Sequence, residues 1–428
     1  MSLLRIDEIF NFEKGVLQSS KCVPGKYDFI TASSDWKTHN EYTHECEALI
    51  FAAAASGSLG RTHYVNGKFI SSDLCFIITP KDQENLPVDL KFYHILFNEL
   101  KDEIVRNTKA GTSKEAIGLG SFGKYQLPYF DIDTQVEIKN RFVNSEELKS
   151  DLSNELNHQI DLVKKLRQQL LQDTVQGKLV EQNPNDEPAS ELLKKIKDEK
   201  QKLIAEKKLK KEKELPPIKP EEIPFEIPEN WVWCKLGEIC TKITDGFHNT
   251  PPKVSEGIPY IAATQVKSDK IDWENCNYVD EKYHRELYIK AYPQKGELLV
   301  VNIGAGCGTP AIIDVDFEFS FKNTAILKFN QSLISNKLLF YYFLLRKDEI
   351  YTELTKGGLQ PFLSLKILND IDFPLPPIAE QNRIVKKIDE VMQYCNELEA
   401  SIKQSESQNS TLLQQVLREA LRKEPVEV

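Results

Sequence analysis

The chain of 428 residues contains no hydrophobic run long enough to cross a membrane. Its longest apolar stretches, residues 48–55 and 338–345, are far shorter than the roughly 18–20 apolar residues that a spanning helix needs. Residues 1–7 already include an acidic side chain and lack the architecture of a signal peptide. We therefore expect a cytoplasmic protein that has no membrane partner.

The chain also lacks paired cysteines and clustered histidines. Its eight cysteines are scattered without a CxxC pair, and its seven histidines show no HExxH or similar ligand spacing. Such cysteines are more typical of reduced packing residues in a cytoplasmic protein than of a metal site. We expect no metal site in this chain.

Motifs of several enzyme classes are missing as well. No Walker lysine motif occurs, and the Asn/Asp-Pro-Pro-aromatic loop of adenine methyltransferases has only a distant counterpart in Asn183-Pro184-Asn185, which fails at its third position. The net charge of −10 argues mildly against binding nucleic acid with the whole surface, but leaves open a local basic groove and protein partners. We expect no catalytic residue here.

What the sequence does contain is an internal repeat. Residues 246 positions apart are identical at several places without a gap, and further upstream the offset falls to 231. Roughly fifteen to nineteen residues are therefore inserted in the second copy or lost from the first. The chain therefore carries a duplicated unit that ends in a long helix. The identical pairs include Gln135/Gln381, Ile138/Ile384, Leu152/Leu398 and Leu166/Leu412.

The end of each copy carries apolar residues in alternating steps of three and four. This heptad spacing predicts a long helix that packs along one narrow stripe, and the two helices can pack antiparallel as a rod about 60 Å long with one globular domain at each end. The polar residues Gln159, Ser405 and Asn409 also fall in this stripe. They either fix the register of the two helices or mark places where the stripe is hydrated. The predicted seam residues are Ile138, Leu152, Leu156, Leu166, Ile384, Ile388, Leu398, Ile402 and Leu412.

The fold class predicted from these patterns is α+β, because short β-rich runs alternate with turns and an amphipathic helix before each long helix. Residues 191–214 are rich in lysine and glutamate and indicate a solvated helical spacer or, alternatively, a nucleic-acid-binding tail. Five prolines in 215–228 predict an extended connector. The expected divisions are a globular domain at 1–130 (head 1), a helix at 131–179, a connector at 180–228, a globular domain at 229–376 (head 2) and a helix at 377–428.

Several stretches resemble the specificity subunit of type I restriction–modification enzymes. The first copy departs from this pattern, with PYFDID at 128–133 where the second has the Pro-Pro form, and it lacks the Trp-x-Trp opening. The resemblance otherwise covers the whole chain. The stretches are IPENWVW at 227–233, TDGFHNTP at 244–251, GIPYI at 257–261, PLPPIAEQ at 374–381 and GKL at 177–179.

This resemblance implies a non-catalytic subunit with two target-recognition domains that bind a bipartite, asymmetric double-stranded DNA site, one half per head. The helices would dock two methyltransferase subunits, which bind S-adenosylmethionine and methylate adenine at N6. Restriction subunits would add ATP-dependent cleavage. S-adenosylmethionine, ATP and Mg are therefore expected on partner subunits and none in this chain. The alternatives are a coiled-coil scaffold with two protein-binding heads, and a stand-alone modification enzyme.

Candidate DNA contacts are polar or basic residues near predicted turns. Lysine and arginine would mostly bind phosphates, while asparagine and glutamine can read base edges, although a plain surface role remains open for each. Trp231 and Trp233 are interpreted as core anchors of head 2 in preference to stacking groups. The candidates are Ser58, Arg61, Lys109, Thr112 and Lys114 in head 1, and His248, Asn249, Thr250, Lys356 and Gln360 in head 2.

A glycine run at 304–310 follows a predicted strand and could be taken for a phosphate or cofactor loop. However, Pro310 and a β-like segment follow it, so that no helix N-terminus is available to face an anion. Residues 56–60 form a similar loop of small residues in head 1. Both are interpreted as tight turns or as loops that approach DNA.

Overall fold

A computed structural model describes residues 2–54, 57–110, 116–211, 213–247, 250–268, 270–356 and 361–422. The chain divides into two compact units. Unit 1 comprises Met1–Asn157 and Lys403–Val428, and unit 2 comprises His158–Ile402. Each unit holds one head and segments of both long helices.

Head 1 is built on a six-stranded sheet in the order β2-β7-β5-β6-β3-β4, antiparallel except for the parallel β3–β6 pair. Successive side chains of a strand point to opposite faces. Leu49 and Phe51 of the central strand β5 therefore join one apolar cluster, while Ala48 and Ile50 join another. The strands are β1 (Ser2–Arg5), β2 (Phe10–Lys14), β3 (Tyr27–Ile30), β4 (Lys37–His39), β5 (His44–Ala52), β6 (Thr62–Ser71), β7 (Cys75–Pro80), β8 (Lys109–Ala110), β9 (Ala116–Ile117) and β10 (Gln126–Tyr129).

Head 2 has a four-stranded sheet in the order β12-β18-β15-β16 and a three-stranded sheet in the order β14-β13-β17. Its central strand β15 repeats the division seen in β5, since Leu298 and Val300 join one apolar cluster while Leu299 and Val301 join another. The strands are β11 (Val232–Lys235), β12 (Lys242–Asp245), β13 (Ile258–Ile261), β14 (Asn277–Val279), β15 (Leu298–Val301), β16 (Pro310–Ile312), β17 (Ser320–Phe321), β18 (Thr324–Lys328) and β19 (Asp372–Leu375).

Helices cover these sheets and connect the heads to the rest of the chain. A π-helical turn, Ile350–Leu354, extends the helix that covers the head 2 sheet. The helices are α1 (Ile6–Ile9), α2 (Leu90–Glu99), α3 (Lys101–Thr108), α4 (Leu119–Lys124), α5 (Ile132–Val175), α6 (Ala189–Ala205), α7 (Leu236–Ile239), α8 (Glu281–Ala291), α9 (Asn336–Glu349), α10 (Leu365–Asp370) and α11 (Ile378–Arg422).

The two long helices, α5 and α11, confirm the predicted pair. In unit 2, Arg167 forms an ion pair with Glu399 at 3.0 Å, and Gln182, just beyond α5, donates to Glu380 at 2.6 Å. The chain therefore runs antiparallel to α11 in this unit. The predicted stop at Gly177 is also confirmed, because α5 ends at Val175 and Gly177 has a φ of 70°.

The seam between the helices differs in part from the prediction. Ile138 and Ile384 are buried in the cores of head 1 and head 2, respectively, and not only along the helix pair. Leu156, Ile388 and Ile402 are buried as well. The prediction is wrong for three leucines. Each of them lies four residues before a buried heptad position. Two paired helices bury only one narrow stripe of side chains on each helix, and these leucines lie outside it. The side-chain surroundings of Leu412 lie outside the described part. The three exposed leucines are Leu152 (43%), Leu166 (45%) and Leu398 (50%).

The polar position Asn409 is buried in unit 1. Its side-chain amide donates to the carbonyl of Lys149 at 3.1 Å and to the hydroxyl of Ser153 at 3.2 Å. A buried asparagine with defined partners penalises shifted pairings of the helices. Of the two interpretations left open by the sequence, the structure favours register fixing at this position.

The charged run in the connector is not a solvated spacer. Its helix α6 buries Ala189, Leu192 and Ile196 in the head 2 core. The ammonium of Lys200 donates to the carbonyls of Gly237 at 2.7 Å and Cys240 at 3.0 Å. The expectation was wrong because three apolar residues on one face are enough to dock a helix whose composition is otherwise charged.

Both heads are closed in the same way. Strands β1 and β10 pair antiparallel, with Leu3 opposite Pro128, and strands β11 and β19 pair antiparallel, with Trp233 opposite Pro374. In both copies, therefore, the first and last strands of the head pair immediately before the long helix begins. The duplication read from the sequence thus extends to topology.

A buried glutamine at the start of each long helix fixes the head to it. The Gln135 side chain accepts from the Asp89 N–H at 2.8 Å and donates to the carbonyls of Pro87 at 3.0 Å and Phe130 at 2.7 Å. We call this arrangement the glutamine bracket. Asp89 is the N-cap of α2, so the bracket joins α5 to the helix that covers the sheet.

The second glutamine bracket has the same partners 246 residues later. Gln381 accepts from the Ser335 N–H at 2.8 Å and donates to the carbonyls of Leu333 at 3.4 Å and Pro376 at 3.1 Å. Ser335 is the N-cap of α9. Both glutamines are fully buried. Their identity in the two copies is therefore explained by hydrogen bonding that a different side chain would not reproduce.

All eight cysteines are free thiols. Among the described ranges, no group of three or more histidine, cysteine or acidic side chains could hold a metal ion. No helix in those ranges has a stretch that is both long and apolar enough to span a bilayer.

Candidate nucleic-acid interface

The loop that follows the central strand is built in the same way in both heads. In head 1 the N–H of Gly60 donates to the carbonyl of Ala52 at 2.8 Å, and in head 2 the N–H of Gly308 donates to the carbonyl of Val301 at 2.9 Å. Both glycines have a positive φ, 82° and 87°. Because this conformation favours glycine, the two runs are tight turns of the same kind.

A second segment lies against this loop in each head. In head 1 the hairpin β8–β9 is joined to the loop by the N–H of Ile117, which donates to the carbonyl of Ala53 at 2.8 Å. In head 2 the N–H of Leu363 donates to the carbonyl of Asn302 at 2.8 Å. Lys356 and Phe362 flank this second segment and exchange backbone hydrogen bonds of 3.0 and 2.8 Å.

A third segment completes the edge, a tight bend between two strands. In head 2 it is 321–324, from the last residue of β17 to the first residue of β18. In head 1 it is 71–75, from the last residue of β6 to the first residue of β7, and it is one residue longer. The carbonyl of Asn323 accepts from the N–H of Asn302 at 3.1 Å, and the carbonyl of Leu74 accepts from the N–H of Ala53 at 2.9 Å. We call 321–324 and 71–75 the edge bends.

The edge bends are packed tightly from the other side by a glycine. A Cβ added to Gly246 would lie 2.1 Å from the carbonyl oxygen of Phe321, and one added to Gly15 would lie 2.2 Å from that of Ser72. Each glycine is therefore required by close approach of the backbone. Three loop segments thus converge at one end of the sheet in each head, on equivalent backbone and with different side chains.

In head 1, three predicted contacts lie on or beside these segments. Ser58 and Arg61 belong to the glycine loop, where the Arg61 guanidinium donates to the carbonyl of Ala32 at 3.3 Å and to the Ser58 hydroxyl at 3.4 Å. Lys109 is exposed at the start of the β8–β9 hairpin. Thr112 and Lys114 lie outside the described residues.

In head 2, the structure brings two predicted residues to the same edge. Thr250 is exposed, and its hydroxyl contacts the ammonium of Lys322. Lys356 is exposed at the start of the segment that joins Asn302. His248, Asn249 and Gln360 lie outside the described residues.

Sequence reasoning missed the edge bend of head 2. Lys322 and Asn323 lie between β17 and β18, where none of the DNA contacts predicted from the sequence falls. The signal that could have found them is Gly246, whose equivalent Gly15 lies 231 residues earlier, the same offset as that of residues 30–32 and 261–263. A pair of glycines at the repeat offset indicates a close backbone contact in both copies.

The groups at these edges suit binding better than covalent chemistry. Burial raises the pKa of the Cys307 thiol in the glycine loop to about 11, so this thiol is protonated near neutral pH and a poor nucleophile. The exposed groups are ammonium, hydroxyl and amide groups, which donate to phosphates and base edges. Trp231 is a core anchor, as interpreted from the sequence, because it is buried and its indole N–H donates to Glu380 at 2.9 Å.

Two heads with corresponding backbone hydrogen bonds and unlike edge residues, each followed by a long helix, define a duplicated protein of the α+β class. The family model for the type I restriction modification DNA specificity domain matches residues 2–162 and 228–405. The chain belongs to this family, and the resemblance stated from its motifs is confirmed.

Curated relatives have the same description. The specificity subunit of the type I restriction enzyme EcoAI from Escherichia coli is 34% identical over 247 residues, which are 56% of this chain and 41% of the relative. That of EcoEI, also from Escherichia coli, is 33% identical over 269 residues, which are 60% of this chain and 44% of the relative. The matched part of this chain thus spans less than half the length of these relatives.

Solved structures show the same fold. The HsdS subunit from Thermoanaerobacter tengcongensis superposes with a TM-score of 0.60 at 16% identity, covering 98% of this chain and 96% of that chain. A chain from a study of complex assembly and conformational transition of the type I R-M system superposes with a TM-score of 0.57 at 18% identity, covering 98% and 97%.

Proposed function

We propose that this chain is the DNA-specificity subunit of a type I restriction–modification complex, itself non-catalytic and cytoplasmic. Each head reads one half of a bipartite, asymmetric double-stranded DNA site. Methyl transfer and cleavage belong to methyltransferase and restriction subunits, which carry S-adenosylmethionine, ATP and Mg. The observation that carries this proposal is the pair of equivalent sheet edges with different side chains at their tips.

The unlike tips support an asymmetric site. Where head 2 has Asn302, Lys322 and Asn323, the equivalent positions of head 1 are Ala53, Ser72 and Leu74. Equivalent backbone can present a reader to each half-site in the same manner, while different side chains select different bases. Two identical readers would instead match a palindrome.

Exposed apolar residues on the long helices support docking of two methyltransferase subunits. Large apolar side chains exposed in a row mark a surface that a partner covers. In unit 1, Leu148 is 69% and Leu152 43% exposed. In unit 2, Leu162 and Leu166 on α5 and Leu398 on α11 are about half exposed. Each of these leucines lies on a helix whose buried side already packs within this chain. The exposed leucines are therefore left for a partner subunit.

The experiment is to map methylated adenines in a genome that carries this gene together with its partner genes. We expect one bipartite motif with a fixed gap, which disappears when this gene alone is deleted. Loss of the gene without loss of any methylated motif would contradict the proposal.

The second candidate function is a coiled-coil scaffold whose heads bind proteins. Binding of a DNA duplex by the assembled complex separates the two functions. A DNA reader should bind selectively and with a strong dependence on salt, because its contacts to phosphates release counterions from the DNA. A protein scaffold should show no such binding. Purified chain that transferred methyl groups without any partner would instead support a stand-alone enzyme.

A further inference from the structure

The edge bend of head 2 holds a residue in an unusual conformation. Asn323 has a φ of 58°, in the left-handed region, where residues other than glycine are uncommon. Asparagine is among the few side chains that tolerate this region. Strained backbone of this kind clusters at functional sites, since the surrounding structure must hold it in place.

The surroundings of Asn323 do hold it. Its carbonyl accepts from Asn302 on one side, and its neighbours in the bend are bound on the other side, where Phe321 accepts from the N–H of Phe247 at 3.0 Å. The N–H of Lys322 donates to the carbonyl of Ile261 at 2.9 Å. The bend is thus fixed by backbone hydrogen bonds from three segments, at or just beyond the ends of β12, β13 and β15, and the direction of the Asn323 side chain is preset.

The Asn323 side chain itself has no hydrogen bond among the residues that the structure describes, and it is partly exposed. It lies beside Lys322, whose ammonium contacts Thr250 at the same edge. A fixed backbone, a side-chain amide without a hydrogen-bond partner and a neighbouring cation together suit the recognition of a DNA base. A side chain on a fixed backbone loses little conformational entropy on binding.

Head 1 has a corresponding bend that carries another side chain. The bridge between Phe247 and Lys322 in head 2 has its equivalent in the bridge between Leu17 and Ser72 in head 1. At the position of Asn323, head 1 has Leu74, which is 41% exposed and has no amide. The head 1 bend is one residue longer, and Leu74 is not in the left-handed region, so the conformation of Asn323 and its amide are particular to head 2. A loop conformation and a side chain that differ between the two heads are expected to determine specificity.

We propose that Asn323 reads an adenine in the half-site of head 2, with Lys322 on an adjacent phosphate. This inference rests on the proposed function. The NH2 of a side-chain amide can donate to N7 of adenine while its oxygen accepts from the N6 amino group in the major groove.

The test uses N323G in the complex assembled with its methyltransferase subunits. Glycine adopts a φ of 58° more easily than asparagine, so the bend is kept and only the amide is removed. The matched control is K207G, because Lys207 has a φ of 59° and lies in the connector beyond α6. The probes are duplexes that carry the mapped recognition sequence and every single base-pair change in the head 2 half.

We expect N323G to lose about 10- to 100-fold discrimination at one A·T pair and to keep it at the others, while K207G keeps all of it. N323D retains the shape of the side chain but only accepts hydrogen bonds, so it should shift preference at that pair from adenine towards cytosine. Together these two results support the assignment.

An unchanged selectivity profile for N323G would overturn the inference, and so would uniform weakening at every position, which indicates a contact to phosphate alone. Wild-type complex without any sequence selectivity would overturn the proposed function itself, which distinguishes the two failures. Thermal unfolding of both variants within a few degrees of the wild type shows that the bend is intact.

Discussion

At the residue scale, the glutamine bracket gives the sharpest prediction. Gln135→Ala should lower the free energy of unfolding by about 3 kcal/mol, because the Asp89 N–H and two buried carbonyls lose their partner. Gln381→Ala should have a similar effect. Urea denaturation measures both.

The control for this prediction is Gln168→Ala. Gln168 lies on the same helix as Gln135 but is exposed, so its replacement should change stability by less than about 0.5 kcal/mol. Equal losses from the buried and the exposed glutamine would show that the bracket adds nothing to the fold.

Asp89 predicts how the stability of head 1 depends on pH. Burial alone would raise the pKa of this carboxyl, but the Lys139 ammonium and the N–H groups of Phe92 and Lys91 outweigh burial and lower its pKa below 3.8. A depressed carboxyl pKa contributes stability that is present above the unfolded value and is lost as the pH falls through the folded value. Stability should therefore decline below about pH 4.

Asp89→Asn tests this dependence. The amide cannot lose a proton, so the variant should be less stable at neutral pH and should lose less stability on acidification than the wild type. Denaturation curves at pH 7 and pH 3 give the difference. Parallel losses in both proteins would assign the acid sensitivity to other carboxyls.

At the element scale, the long helices separate residues that hold the pair together from residues that remain available. Ile388→Ala should cost about 2–5 kcal/mol, because Ile388 is fully buried. Leu398→Ala, ten residues later on the same helix and half exposed, should cost less than about 1 kcal/mol.

A charged substitution at Leu398 tests the proposed docking of partner subunits. Leu398→Glu should leave the unfolding of the isolated chain nearly unchanged and should reduce co-purification of the methyltransferase subunits. If Leu398→Glu unfolded the chain instead, the side chain would belong to the internal seam after all.

Elements could be predicted where a repeat or a period was present. The two long helices, the stop at Gly177 and the α+β class followed from heptad spacing and from duplication, because both leave a regular trace in sequence. Ile388 is buried and Leu398 is half exposed, although both fit the same heptad spacing. Heptad spacing alone does not show how many neighbouring helices cover each apolar position. The docked face of α6 was hidden by its lysines and glutamates.

The candidate site was predicted less well than the fold. Turn-forming residues led to Ser58, Arg61, Thr250 and Lys356, which lie on or beside the convergent segments. Asn323 was missed because its left-handed φ depends on partners from other strands, and no local pattern records them.

At the scale of the whole molecule, the duplication predicts an exchange experiment. Each head begins with a strand that pairs with its last strand, immediately before a long helix that carries the glutamine bracket. Exchanging the two heads at these boundaries should therefore keep both terminal strand pairs and both glutamine brackets. The order of the two half-sites in the DNA sequence should be inverted. Mapping of methylated adenines in cells that carry the exchanged gene gives the answer.

A chain with exchanged heads that still modified only the original sequence would contradict the assignment of one half-site to each head. The control is a chain in which head 1 is exchanged for a second copy of head 2. It should methylate a symmetric sequence made of two copies of the head 2 half-site.

The half-exposed leucines of α5 and α11 also bear on how the protein behaves during production. In the absence of its partner subunits, the chain exposes these leucines to water. Self-association is then expected, because it buries the exposed leucines between copies of the chain. Yield from bacteria should consequently be poor and dependent on concentration when the gene is expressed alone, and it should rise on co-expression with the methyltransferase gene. Light scattering of the purified orphan chain should reveal oligomers that disperse when that partner is added.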